Sequence, residues 1–198
     1  MKRVTTILFA AVVSVVSVPV ALADIFLKLP GIDGESTAVG HEKWIDISSF
    51  QFGVANPGAG SGGGGKPVFS EVTISKAFDA SSPPLMEAVV DGKSFANALV
   101  DFVRPSQGKP QTYLKYEFSD VFLTSYSVSS GGDRPFESLS FAWSKLTTTY
   151  FPQSPTGGLG APVIATIAAV PEPSTWAMLA GGLLFVGIQI GRARRMRG

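Results

Sequence analysis

Cysteine is absent from the 198 residues, and histidine occurs once. The first absence excludes disulfides, thiolate metal sites and cysteine nucleophiles together. The second leaves His41 as the only imidazole for a Ser-His-Asp relay. An excess of charge of either sign is also missing, with 16 Lys and Arg against 15 Asp and Glu. That balance hides an asymmetry, because Lys2, Arg3, Arg192, Arg194, Arg195 and Arg197 all lie at the two ends. Without them and Glu172, ten basic residues face fourteen acidic ones. A mildly acidic body without a basic stripe argues against nucleic-acid binding.

Both ends read as targeting segments. Lys2-Arg3 is a positive start, Ile7 to Val20 is apolar, and Ala21-Leu22-Ala23 supplies the small residues that signal peptidase requires, Ala21 and Ala23. Residues 1–23 are therefore predicted to be a secretory signal peptide. At the other end Pro171-Glu172-Pro173 precedes an apolar run and the cluster Arg192, Arg194, Arg195 and Arg197. A helix over 175–191 is predicted to span a membrane, although at 1.5 Å per residue it reaches only about 25 Å. Trp176 at one interface and the arginines at the cytoplasmic one absorb the mismatch. Residues 170–198 resemble the PEP-CTERM sorting signal, which implies recognition and removal by an exosortase.

Between these ends the pattern is mostly strands and turns. Strands are predicted over Asp24–Leu29, Lys43–Val54 (with a bulge near Ser48-Ser49), Val68–Phe78, Ala98–Val103, Tyr113–Phe118, Val121–Val128 and Phe136–Phe151. Six glycines among residues 56–66 mark a flexible excursion. One helix is predicted at Pro83–Asp91. Ser82 would be its N-cap, Pro83 its first residue, Glu87 near its positive end, and Gly92 its left-handed stop. Leu85, Met86, Val89 and Val90 form its apolar stripe. This reads as a mainly β, α+β domain over 24–158, followed by a linker over 159–169.

The order of segments adds a resemblance. Leu27-Lys28-Leu29, Ile32-Asp33-Gly34-Glu35-Ser36-Thr37 and His41-Glu42-Lys43-Trp44-Ile45 come first. They are followed by the glycine-rich loop, Val72-Thr73-Ile74-Ser75-Lys76 and Ser81-Ser82-Pro83-Pro84-Leu85-Met86. With Glu137-Ser138-Leu139-Ser140-Phe141 and Tyr150-Phe151-Pro152-Gln153, they resemble the Hcp family, the tube protein of type VI secretion. The resemblance implies a β-barrel with one flanking α-helix, hexameric rings that stack, and a long loop at the contacts between rings. The family's tube protein carries no export signal, and where it runs into another polar strand this chain has the small, apolar Val163–Val170.

No catalytic, cofactor-binding or metal-ligating residue is assigned. Asp33-Gly34-Glu35 lacks the further acidic ligands of a calcium loop. Gly62–Gly65 lacks the Gly-Lys-Ser/Thr ending of a phosphate loop. Trp44 and Trp143 sit in alternating strands and are read as core. The expected function is that of an exported, non-enzymatic structural protein. It would self-associate and reach the envelope or extracellular matrix through an inner-membrane intermediate. The alternative is a monomeric polysaccharide-binding module that presents Tyr113, Tyr126 and Tyr150.

Overall fold

The computed structural model describes residues 23–58, 65–106, 109–154 and 158–169. The chain forms strands β1 (Asp24–Lys28), β2 (Ile45–Ile47), β3 (Ser49–Gln51), β4 (Val54–Ala55), β5 (Val68–Phe69) and β6 (Val72–Ala77). Helix α1 (Ser82–Val90) follows, then β7 (Ser94–Ser106), β8 (Lys109–Ser129), β9 (Phe136–Ala142), β10 (Lys145–Tyr150) and β11 (Val163–Ala168). Nine strands make one antiparallel sheet in the order β2-β1-β7-β8-β9-β6-β3, with β10 beside β8 and β11 beside β10. β4 and β5 form a separate two-stranded ribbon at the base of the glycine-rich excursion.

The strand predicted from Lys43 to Val54 divides at Ser48, whose N–H donates to the Ser75 carbonyl at 2.7 Å. Before the break the odd residues Ile45 and Ile47 face the core; after it the even residues Phe50 and Phe52 pack against it. A strand with period two cannot bury both sets without such a shift. This break also corrects the expected closed barrel. β2 pairs with β1 and β3 with β6, so the ends of the sheet are joined by chain at Ser48 and not by a closing ladder.

Two further boundaries differ from the predicted ones. Tyr113–Phe118 and Val121–Val128 belong to one strand, β8, which pairs with β10 through residues 114–119 and with β9 through 122–129. Asp120 marks the change of partner with φ of 52°, a left-handed conformation that aspartate tolerates better than most side chains. Its Oδ2 accepts a hydrogen bond of 2.5 Å from Ser144 Oγ, which sits between β9 and β10. Likewise 159–169 is not a linker throughout, since β11 pairs with β10 from Val163 opposite Tyr150 to Ala168 opposite Lys145. Its β-branched residues suit the pleated edge that β10 offers.

The helix ends where expected. Gly92 has φ of +61°, and the N–H of Lys93 reaches the carbonyl of Ala88 at 2.9 Å. Its start and its faces differ. Ser81 is the N-cap, Ser82 is the first helical residue, and Glu87 lies beyond the first turn. Leu85 and Ala88 are buried and Val89 packs beside them, while Met86 and Val90 face outwards. The helix uses a stripe narrower than the sequence pattern suggested because it covers only one side of the sheet. Among the described residues no helix is long and apolar enough to cross a membrane, and the predicted span 175–191 lies outside them.

Candidate functional site

Three features organise the polar side chains: a buried ionic cluster under α1, a clamp that holds the first long loop, and a cleft beside that clamp. The cluster begins with Lys76, which shares the inward phase of Val72 and Ile74 on β6 and is fully buried. Its Nζ donates to Glu137 Oε1 at 2.6 Å, Asp79 Oδ1 at 2.6 Å and Ser82 Oγ at 3.0 Å. Glu137 Oε2 accepts from Tyr126 Oη at 2.6 Å. The Asp79 carboxylate also accepts from the N–H of Ser81 at 2.8 Å.

The network therefore ties β6, β8 and β9 to the entry of α1. It also explains the shifted cap: the hydroxyl of Ser82 serves Lys76 and the N–H of Asp79, while Asp79 accepts from the N–H of the N-cap residue Ser81. Burial pushes the Asp79 carboxyl up, but hydrogen bonds from Lys76 and Ser81 outweigh it and hold it below the usual range. The signal for the cluster is present in the alternation, which places Lys76 in phase with Val72 and Ile74 on the inner face, whereas Phe78, expected on the same face, is exposed.

The loop after β1 folds back over the opposite face of β1 and β7. Gly34 N–H donates to the Lys43 carbonyl at 2.9 Å, and Ser36 N–H to that of Trp44 at 3.1 Å. These bonds bring His41 over Phe26, with ring centroids 4.6 Å apart, and against the edge of Trp44 at 4.7 Å. Nε2 of His41 bonds Asp101 Oδ2 at 2.9 Å, and both side chains are buried. With Nε2 held by Asp101, only Nδ1 is left to face a hydroxyl, and it has no partner among the described residues. Geometrically this is a clamp fastening the loop to β7, not a base aimed at a nucleophile.

Beside the clamp lies a cleft of about 620 Å³ on the outer face of β7, β8 and β10, lined by Trp44, Asp101, Lys115, Glu117, Thr147 and Thr149. Register places Asp101 beside Lys115 and Thr149 across three strands, with Leu99, Glu117 and Thr147 in the next row. Acidic, basic and hydroxyl groups thus alternate over one open surface. Among the described residues no group of three or more His, Asp or Glu is placed to hold a metal ion.

The sequence matches the family described as "Type VI secretion system effector, Hcp" over residues 26–150. The chain belongs to the Hcp family. "Protein hcp1" of Pseudomonas aeruginosa is 31% identical over 148 residues, which cover 71% of this chain and 91% of that protein. A solved type six secretion system protein is 31% identical with a TM-score of 0.69, over 75% of this chain and 96% of its own. Hcp1 from Salmonella typhimurium is 26% identical with a TM-score of 0.61, over 74% and 94%. Residues 169–195 match the PEP-CTERM protein-sorting motif.

Within this Hcp-family fold the sequence-predicted positions fall as follows. Ala23 is exposed immediately before β1. Ala21, Pro171, Glu172, Pro173, Trp176, Arg192, Arg194 and Arg195 lie outside the described residues. Trp143 is in the core, whereas Trp44 is half-buried, with the Lys28 ammonium 5.6 Å from its ring. Of the three tyrosines considered for glycan contact, only Tyr150 is exposed. Tyr113 is half-buried with the Arg104 guanidinium 4.8 Å above it, and Tyr126 belongs to the Lys76 cluster.

That cluster gives Tyr126 a measurable signature. Burial, then its hydrogen bond to Glu137, pushes its phenol well above the usual tyrosine value. Ultraviolet titration should show a late-ionising tyrosine that Tyr126→Phe removes. Because the fold favours the neutral phenol, its stabilisation is present below about pH 10 and is lost as pH rises through the folded value. Titration unchanged by the substitution would contradict the assignment.

Proposed function

We propose that this protein is an exported, non-enzymatic structural protein of the Hcp type that self-associates into rings. Its carrying observation is that a chain covering 91% of an Hcp relative also carries a PEP-CTERM motif, over residues 169–195 and beginning where β11 ends. The resemblance supplies the hexameric ring as the form of assembly. Signal peptidase would act after Ala23, where exposed chain meets β1. The segment over 175–191 would hold the protein in the inner membrane, with Arg192, Arg194 and Arg195 on the cytoplasmic side. An exosortase would then recognise Pro171-Glu172-Pro173 and pass the domain to the envelope or the extracellular matrix.

The surface supports an assembling role. Val54 and Val68 project from the β4–β5 ribbon at the root of the glycine-rich loop, and both are exposed. Val54 lies opposite Phe69 and Val68 opposite Ala55, so each face of the ribbon offers one exposed valine to a neighbouring subunit. The mature species, isolated from cells, should sediment as a ring-sized oligomer, and its mass should place both processing sites. A monomer at high concentration would remove the ring and leave the fold untouched.

A further inference from the structure

Among the described residues the outer edge of β11 carries unmatched backbone donors and acceptors, and we propose that it pairs antiparallel with β11 of a second copy of this chain. β11 lies against β10 on one side only, beyond the residues matched to the Hcp family. The other terminal strands of the sheet, β2 and β3, span three residues each, against six here. Val163 and Ile164 are each 61% exposed. No charged residue occurs from Ala161 to Ala169, so the lysines with which proteins blunt open edges are missing.

The register determines which groups are available. Ala169 N–H donates to the Ser144 carbonyl at 2.7 Å. In an antiparallel ladder the groups directed at one partner recur at every second residue. Val163, Ala165 and Ile167 therefore turn their backbone groups towards β10, and Ile164, Thr166 and Ala168 turn theirs outwards. A two-fold axis through Thr166 sets Thr166 opposite Thr166, and Ile164 opposite Ala168, so the three outward donors of each copy meet the three acceptors of the other.

The side chains agree with this register. Ile164 meets Ala168 and Ala165 meets Ile167, a large residue against a small one in each row. Centring the axis on Ala165 would set Ala168 opposite Pro162, which has no N–H to give. The sorting segment begins at the end of β11. If it holds two copies in one membrane, as the proposed function has it, their β11 edges meet at raised effective concentration. The pairing itself is two-fold and does not require a ring.

The absence of cysteine makes the test clean. Full-length Thr166→Cys protein, treated with a short bis-maleimide, should cross-link to a dimer, whereas Ser130→Cys, in an exposed turn, should not. Adding Ile164→Pro removes a donor that faces away from β10 and should lower the Thr166→Cys yield roughly tenfold. Equal yields at Thr166 and Ser130, or a yield indifferent to Ile164→Pro, would overturn the pairing. Ring-sized oligomers of the Thr166→Cys variant that never cross-link would overturn it and leave the proposed ring standing. Linked dimers without larger species would do the reverse.

Discussion

Lys76→Met should destabilise the domain by about 3–5 kcal/mol, the cost of removing one partner of a buried ion pair. Lys76 and Glu137 are both fully buried at the side chain, and among the described residues the substitution leaves the Glu137 carboxylate with only the Tyr126 hydroxyl as a side-chain donor. It also releases the Asp79 and Ser82 contacts at the head of α1. Against a total stability of about 5–15 kcal/mol, such a loss approaches unfolding.

The paired variant separates charge from packing. Lys76→Met with Glu137→Gln replaces the stranded carboxylate by a neutral amide that still accepts from Tyr126. It should recover a substantial part of the loss, read as the midpoint of urea unfolding. Equal destabilisation in the single and double variants would show that the cluster acts through shape and not through charge.

Gly34→Ala should be the most damaging small substitution in the first loop. A Cβ on Gly34 would collide with the Trp44 carbonyl oxygen and stand 2.6 Å from Ile45 Cα. Both are backbone atoms of the segment entering β2, so no side chain can rotate away. The methyl must separate the strands of the loop, breaking the Gly34–Lys43 and Ser36–Trp44 hydrogen bonds and lifting His41 from Phe26. Overpacking of this kind costs about 1–3 kcal/mol, and more when backbone must move.

Melting followed by far-ultraviolet circular dichroism should show the drop, at about 2–4 °C per kcal/mol for a domain of this size. Glycines at 31 and 131 have open space where a Cβ would go, but only Gly131 also has an ordinary φ, so Gly131→Ala is the control. Equal melting temperatures for the two variants would refute the close approach.

Much of the domain was legible because its strands obey period two. The alternation over Phe136–Phe151 puts Leu139, Phe141 and Trp143 on one face, where they are buried together, and Gly92, the expected left-handed stop, has a positive φ. The bulge near Ser48 was visible as a change of phase in the apolar residues. What it did to the sheet was not visible, since local sequence says nothing of which neighbour each half will find. Lys76 was overlooked for a different reason. A lysine in a strand is ordinarily solvated, and only the carboxylates that β9 and the Asp79 turn bring to it make burial tolerable. His41 was considered as a base, and its true partners, Phe26 and Asp101, lie on paired positions of two other strands.

The sequence by itself determined the carboxyl-terminal sorting motif, the strand-rich character, the single helix and its stop, because each rests on contacts within a few residues or on composition. The family likewise followed from the order of short segments. Tertiary structure alone decided that the sheet ends meet through Ser48 without a closing ladder, that a lysine is buried under α1, and that β11 extends the sheet and leaves an edge open. Each of these depends on residues tens of positions apart being brought into register, and register is set by packing across the whole sheet, not by any one stretch of chain.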